Sequence, residues 1–484
     1  MFPSFQPTAS SLLASTAPMQ QDKIVVGLDI GTTKICALVG RKNEFGKLEI
    51  LGMGKAVSEG VSRGIVLNID KTVDAIKRAI RQAEEQSGIS IGVVNVGIAG
   101  QHIKSLQHNG SITRNSHDTI GPDDVARLTQ DMYRLVTQPG SQIIHVMPQD
   151  YKVDYEEGIS DPVGYEGVRL EGNFHIITAQ STAINNITKC VTKAGLEIAD
   201  LILEPLASSM SILSEEEKEA GVALIDIGGG TTDLAIFKDG IIRHAAVLPF
   251  GGNIITQDIK AGCNVAPGQA EQLKVKFGKA IAEEASDYEI VSIPGLPNRA
   301  PKEVSLKNLA YIIEARMSEI MELVYAEIYR MGLHDKLSAG IVLTGGGSQL
   351  QNLEQLTEYI TGLDTRIGYP NQHLGKSRIE AVKSPMYATT VGLVLSGYHS
   401  LDERNNARAP YEQEEQIIPS YYAQQPAPVA PAPVETRAAV PSTPAPAPAP
   451  APKPKEPGAA SRFFKDIISR TKGLLIDDYD DKSY

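Results

Sequence analysis

Two stretches of this chain echo one another, LDIGTTKI at residues 28–35 and IDIGGGTTDL at 225–234. In each, an apolar run ends on an aspartate and gives way to glycine and a Thr-Thr pair. Such an echo is expected when two halves share a fold. The longer segments KIVVGLDIGTTKICALVG and GVALIDIGGGTTDLAIFKDG both read as strand, glycine turn, strand. The residue types point to phosphate chemistry. Glycine lets backbone N–H groups converge on anionic oxygens, and threonine hydroxyls add donors. A strand-end aspartate at each loop suits Mg²⁺ held through water against phosphates. Two facing loops of this kind would clamp a triphosphate from both sides.

The rest of the body, from about 23 to 400, mixes strands with helices and so predicts an α/β architecture. Residues 69–88 carry apolar residues at helical spacing, with Gly88 as a stop. VVNVGIAG then reads as a strand. Residues 97–176 form a different, inserted α+β pattern of short strands and one helix candidate, GPDDVARLTQDMYRLV, whose Asp123 and Asp124 suit a helix N-terminus. After it FHIITAQ resumes a strand, and STAINNITKCVTKAG a helix ending at Gly195. A last apolar helix begins after Ser384.

Three further stretches join the phosphate reading. TGGGSQL holds Gly345, Gly346 and Gly347 between a strand and a helix, which suits an α-phosphate or adenosine contact. Glu271 and Lys274 lie one helical turn apart, able to reach a ribose or base edge, although alone they read as a surface ion pair. Glu204 precedes Pro205 at a strand-to-helix junction, where a carboxylate could orient a water for attack on a γ-phosphate or simply suit a helix N-terminus. His145, in IIHVMP, reads as a packed strand residue.

Composition closes off other classes. The net charge of −12 argues against general nucleic-acid binding. Cys36, Cys190 and Cys263 are scattered, with neither zinc nor disulfide spacing. Residues 1–22 make a poor signal peptide and read as a disordered extension, with Met19 at a natural start for the fold. Residues 401–460 are a Pro/Ala-rich tether, which as polyproline II would reach on the order of 180 Å. Beyond it stands SRFFKDIISRTKGLLI, residues 461–476, and an acidic tail, 477–484. On a helix, Phe463, Phe464, Ile467, Ile468, Leu474 and Leu475 fall in a sector roughly 140° wide, with basic residues opposite. That pattern suits an interfacial membrane anchor.

The carriers GLDIGTTKIC, HVMPQDYKVDYEEGISDPVGYEGVRLEG, EPLASSM, DIGGGTTDLAIF, LTGGGSQL and YATTVGL resemble the actin/Hsp70/sugar-kinase ATPase superfamily, and within it the FtsA family of bacterial cell division. The resemblance covers about residues 23–400 and the terminal helix. It implies an actin-like two-lobed fold with ATP and Mg²⁺ in the cleft. Subdomain 1A would be 23–96, 177–218 and 383–400; the inserted 1C, 97–176; 2A, 219–257 and 335–382; 2B, 258–334. By resemblance Gly31, Thr32, Thr33 and Lys34 form the first phosphate loop, and Gly228, Gly229, Gly230, Thr231 and Thr232 the second. Asp29 and Asp226 would position the magnesium shell and Glu204 the attacking water. Glu271, Lys274 and Gly345–Gly347 would contact adenosine. The resemblance further implies a weak ATPase that forms filaments, binds the tubulin-like FtsZ through 258–334, and holds the division ring and later division proteins to the cytoplasmic face of the membrane. The alternatives are a small-molecule kinase or phosphatase of the superfamily, or a PilM-like pilus-assembly ATPase.

Overall fold

The computed structural model describes residues 23–114, 118–294, 300–375 and 379–415, with side chains as far as 402 in the last segment. The N-terminal extension, the Pro/Ala tract and the segment 461–476 lie outside the described residues.

Two five-stranded sheets share one plan. In the first the order is Glu197–Leu203, Val93–Ile98, Ile24–Ile30, Lys34–Lys42, Leu48–Val57. In the second it is Ile241–Leu248, Thr232–Lys238, Val222–Ile227, Ile341–Thr344, Thr365–Ile367. Each has an antiparallel hairpin beside a parallel strand. The strands that lead into the two loops are buried on both faces, which is why they read as unbroken apolar runs. Against the first sheet pack the helix Ile69–Ser87 on one face and the helix Ala388–Glu415 on the other. Asn68 caps the former by accepting from the Lys71 N–H, and Gly88 ends it at φ 71°.

The second sheet lies against the helices Gly252–Cys263, Leu306–Arg330 and Leu353–Thr361. A two-stranded hairpin, Ile290–Ile293 with Lys302–Ser305, accompanies them.

A separate antiparallel sheet of four strands, in the order Lys104–Thr113, Arg169–Gln180, Ser141–Val153, Glu156–Ile159, is inserted after the first lobe's strand Val93–Ile98. Its own core is built on Leu128, Leu170, Phe174 and Ile176. The helix Pro122–Tyr133 covers it, with Asp123 and Asp124 in its first turn and Asp124 accepting from the Gly121 N–H. FHIITAQ is the second half of this sheet's strand Arg169–Gln180.

Two local expectations are corrected. The first residues of the stretch read as a tether, 401–415, continue the last helix, which runs to Glu415. The third glycine run enters a 3₁₀ turn, Gly347–Gln349, rather than an α-helix, which starts only at Leu353. All three cysteines are buried free thiols, and no helix among the described residues is long and apolar enough to cross a membrane.

Candidate nucleotide cleft between the two hairpins

The two hairpins place their aspartates in matching registers. Asp29 stands opposite Cys36 with Ile30 opposite Ile35; Asp226 stands opposite Asp233 with Ile227 opposite Thr232. The connecting residues, 31–33 and 228–231, face each other and touch. A Cβ added at Gly229 would lie 1.9 Å from the Thr33 Oγ1, and one at Gly230 would lie 2.6 Å from the Thr32 Oγ1. Only glycine permits that approach.

A cleft of about 420 Å³ opens at this junction, within the usual size range of small-molecule sites. Asp29, Gly31, Thr32, Thr33, Lys34 and Glu204 line it from the first lobe. Asp226, Gly228, Gly229, Gly230 and Thr231 line it from the second, and Glu271, Lys274 and Gly345–Gly347 complete the wall. Thr232 is the exception among the sequence-predicted cleft residues. It is fully buried, and its hydroxyl donates to the Phe250 carbonyl at 2.9 Å.

The first loop is held by Lys34, whose Nζ lies 3.2 Å from the Asp29 Oδ2 and 5.4 Å from the Tyr387 ring. Burial alone would lower the Lys34 ammonium, but the carboxylate of Asp29 reverses this and lifts it above its ordinary value. In the second loop the Asp226 Oδ2 accepts from Ser208 Oγ at 2.8 Å and from Thr389 Oγ1 at 3.0 Å. Burial nonetheless pushes Asp226 up, against the pull of these hydroxyls. Asp233 accepts from Thr231 Oγ1 at 3.3 Å, while its buried Oδ1 has no hydrogen-bond partner among the described residues. Burial and the Asp226 charge push it well above the usual carboxylate range.

Glu204 is the first residue of the helix Glu204–Ile212, with Pro205 second rather than first. Burial, with Asp29, Asp233 and Asp226 adding to it, pushes its carboxyl well up. Its backbone neighbour Leu203 donates an N–H to the His145 Nε2 at 3.0 Å. His145 is therefore a hydrogen-bonding residue at the lobe's edge, not merely the packed strand residue its apolar surroundings suggest.

Glu271 and Lys274 form an ion pair of 2.7 Å, but not an isolated surface one. Lys274 Nζ also donates to the Gly252 carbonyl and to Thr256 Oγ1, each at 2.8 Å, and Thr256 Oγ1 donates to Glu271 at 2.5 Å. The pair ties its helix, Pro267–Phe277, to Gly252–Cys263, which begins behind the second loop, where Gly252 and Asn253 donate N–H groups to the Gly228 and Gly229 carbonyls.

Among the residues at the site not singled out from sequence are Asp233, Asn253, Thr389 and Ser208. Asp233 had a signal, because it follows Thr231 by two residues and so shares its face of the strand. Asn253, Ser208 and Thr389 sit on three different helices, the last two inside EPLASSM and YATTVGL, but nothing in those stretches tells which side chain meets the cleft aspartates. The groups facing the cleft are carboxylate and hydroxyl oxygens, the ammonium groups of Lys34 and Lys274, and a glycine cradle. Hard oxygen donors suit Mg²⁺ rather than a softer metal, and glycine with hydroxyls suits phosphate, so the residues present fit a magnesium nucleotide.

Comparison with known proteins places the chain. The family model described as "Cell division protein FtsA" matches residues 223–392, and "SHS2 domain inserted in FTSA" matches residues 100–178. The chain is 42% identical over 381 residues to the cell division protein FtsA of Pseudomonas aeruginosa, covering 79% of this chain and 91% of that one. It is 37% identical over 385 residues to that of Escherichia coli K12, covering 78% and 91%. Among solved structures the PilM-PilN type IV pilus biogenesis complex shares the fold, with a TM-score of 0.55 at 16% identity, over 77% of this chain and 98% of that one.

Proposed function

This chain belongs to the FtsA family of cell division proteins, and from that premise we propose that it binds ATP in the cleft between its hairpins, assembles into actin-like filaments, and tethers the FtsZ ring to the cytoplasmic membrane through residues 461–476. The observation that carries the nucleotide part is the convergence of both Asp-Gly-Thr loops, Lys34 and Glu204 on one cavity.

In this reading the glycine-rich turns and the hydroxyls of Thr32, Thr33 and Thr231 donate to phosphate oxygens, and the Lys34 ammonium supplies a compensating charge. Asp29 and Asp226 would hold the magnesium's water shell. Magnesium, when bound with the nucleotide, neutralises charge on the phosphate oxygens. The Glu204 carboxylate, raised in basicity by burial, accepts a proton from a water at the γ-phosphate. Gly345–Gly347, Glu271 and Lys274 border the adenosine end. Hydrolysis would be slow, with ATP serving assembly more than turnover.

The membrane part rests on the two-faced pattern of residues 461–476. A single short amphipathic helix binds a bilayer weakly, and a filament carrying many copies binds strongly by avidity. Attachment and assembly are then coupled. Residues 258–334 are the surface assigned to FtsZ. The test is co-sedimentation of the full chain with liposomes and FtsZ. ATP-dependent recovery in the pellet is expected, and ATP-independent recovery would count against the coupling.

A further inference from the structure

The inserted sheet reaches the candidate catalytic carboxylate through one residue. Leu203 ends the strand Glu197–Leu203, an edge of the first lobe's five-stranded sheet. One side of this strand pairs in parallel with Val93–Ile98, Leu203 standing opposite Ile98. Among the described residues no strand pairs with its other side, so the Leu203 N–H has no ladder partner. It donates instead to the His145 Nε2 at 3.0 Å. His145 belongs to Ser141–Val153, a strand of the inserted sheet, where it stands opposite Ile177.

The next residue is Glu204. Leu203 is the N-cap of the helix Glu204–Ile212, at φ −61° and ψ 125°, and its side chain makes no capping hydrogen bond. The position of the Leu203 peptide therefore sets where the first turn begins and where the Glu204 side chain leaves the backbone. Packing reinforces the hold. The Leu203 side chain is fully buried in a cluster that includes Ile177, with Ile103, Ile144 and Met147 against it. The insertion supplies Ile177, Ile144 and Met147 to this cluster, and Ile103 comes from the segment leading into it; most of the other members come from strands of the second lobe.

A backbone N–H can only donate, so the Nε2 must be the unprotonated nitrogen of a neutral ring. Burial holds the His145 imidazole below its ordinary value and so favours that form, although Asp200 on the facing strand pulls the other way.

We propose that His145 is a positioning residue, through which the inserted subdomain fixes Glu204 where it can accept a proton from the water that attacks the γ-phosphate. The inference rests on the nucleotide reading above. It makes the insertion part of the hydrolytic machinery, so that anything displacing its strand Ser141–Val153 would move Glu204.

The test uses the full chain, with His145→Phe removing the acceptor at similar volume and His145→Gln retaining one. Three quantities are read: amide exchange of the segment spanning Leu203 without nucleotide, ATP affinity, and single-turnover phosphate release. In His145→Phe, exchange at Leu203 should rise and phosphate release should fall, each by roughly fivefold or more, with ATP affinity within about threefold of the parent. His145→Gln should restore both. Unchanged exchange or unchanged release in His145→Phe overturns the proposal, as does an equal loss in both variants. Failure of the parent chain to bind ATP overturns the nucleotide reading and the proposal with it, which separates the two kinds of failure. Should His145→Phe not fold, His145→Leu takes its place with the same expectations.

Discussion

Gly97 makes room for Glu204. A Cβ added at Gly97 would lie 3.0 Å from the Glu204 Cγ and 3.2 Å from its Oε1. Gly97 sits in the strand Val93–Ile98 beneath the cleft, so a methyl group there pushes the carboxylate without touching either phosphate loop. The side chain can yield by a few tenths of an ångström, and the fold should survive. Gly97→Ala should leave the melting temperature within a few degrees, corresponding to about 1 kcal/mol or less. Phosphate release should fall by about tenfold, because small misplacements of a catalytic group are costly. Release kinetics beside a thermal melt check this.

Asp226 accepts from both Ser208 and Thr389 while Asp29 and Asp233 crowd it. Asp226→Ala removes two hydrogen bonds but also relieves like-charge repulsion, so stability should change little. Affinity for magnesium ATP should drop by roughly tenfold or more. Calorimetric titration is the check, and a variant that binds and assembles normally would remove the cleft from the mechanism.

His175 is fully buried between the inserted sheet and the second lobe. Burial, with nearby His244 adding to it, pushes its imidazole down to about 4. The unfolded chain protonates this group near pH 6.5, whereas the folded chain resists until about pH 4. Stability from this group is present above pH 6.5 and is lost as pH falls through that window, by about 2 kcal/mol at pH 5. His102, His145 and His373 are lowered by burial and act in the same direction. Urea denaturation at pH 7 and pH 5 should show a smaller loss in His175→Gln than in the parent chain.

The hairpins, the helix stop at Gly88 and most of the cleft could be read from the sequence because period, glycine and strand-end charge all act locally. What could not be read depends on partners far along the chain. Nothing in TTD tells which threonine faces the cleft. The strand alternation does, turning Thr231 and Asp233 inward and Thr232 toward the Phe250 carbonyl. Lys274 looked like half of a surface pair because its other acceptors, the Gly252 carbonyl and Thr256, come from another helix. His145 looked apolar in role because its donor, Leu203, lies 58 positions away.

Phe463 would head the apolar side of residues 461–476 if they form the proposed anchor helix. Burial of such a side chain contributes roughly 1.5–3 kcal/mol when complete, and a carboxylate in its place opposes insertion among anionic lipids. Phe463→Glu, or deletion of 461–484, should abolish co-sedimentation with liposomes while ATP affinity stays at the parent value. Undiminished pelleting of the deletion variant would refute the anchor.

Gly345 and Gly346 are adjacent but answer to different constraints. Gly345 has φ 82°, and a Cβ there would lie 2.3 Å from the Asp226 Oδ1 and 2.5 Å from the Ile227 carbonyl oxygen. Gly346 has φ −66°, and a Cβ would meet nothing within 4 Å. Gly345→Ala combines backbone strain with a collision against the second loop, so it should cost on the order of 1–3 kcal/mol and weaken ATP binding as Asp226 is displaced. Gly346→Ala should leave stability within about 0.5 kcal/mol. If Gly346 faces bound adenosine, its variant loses ATP affinity at unchanged stability. Denaturation and nucleotide titration of the two variants side by side separate a glycine needed by the fold from one needed by the ligand.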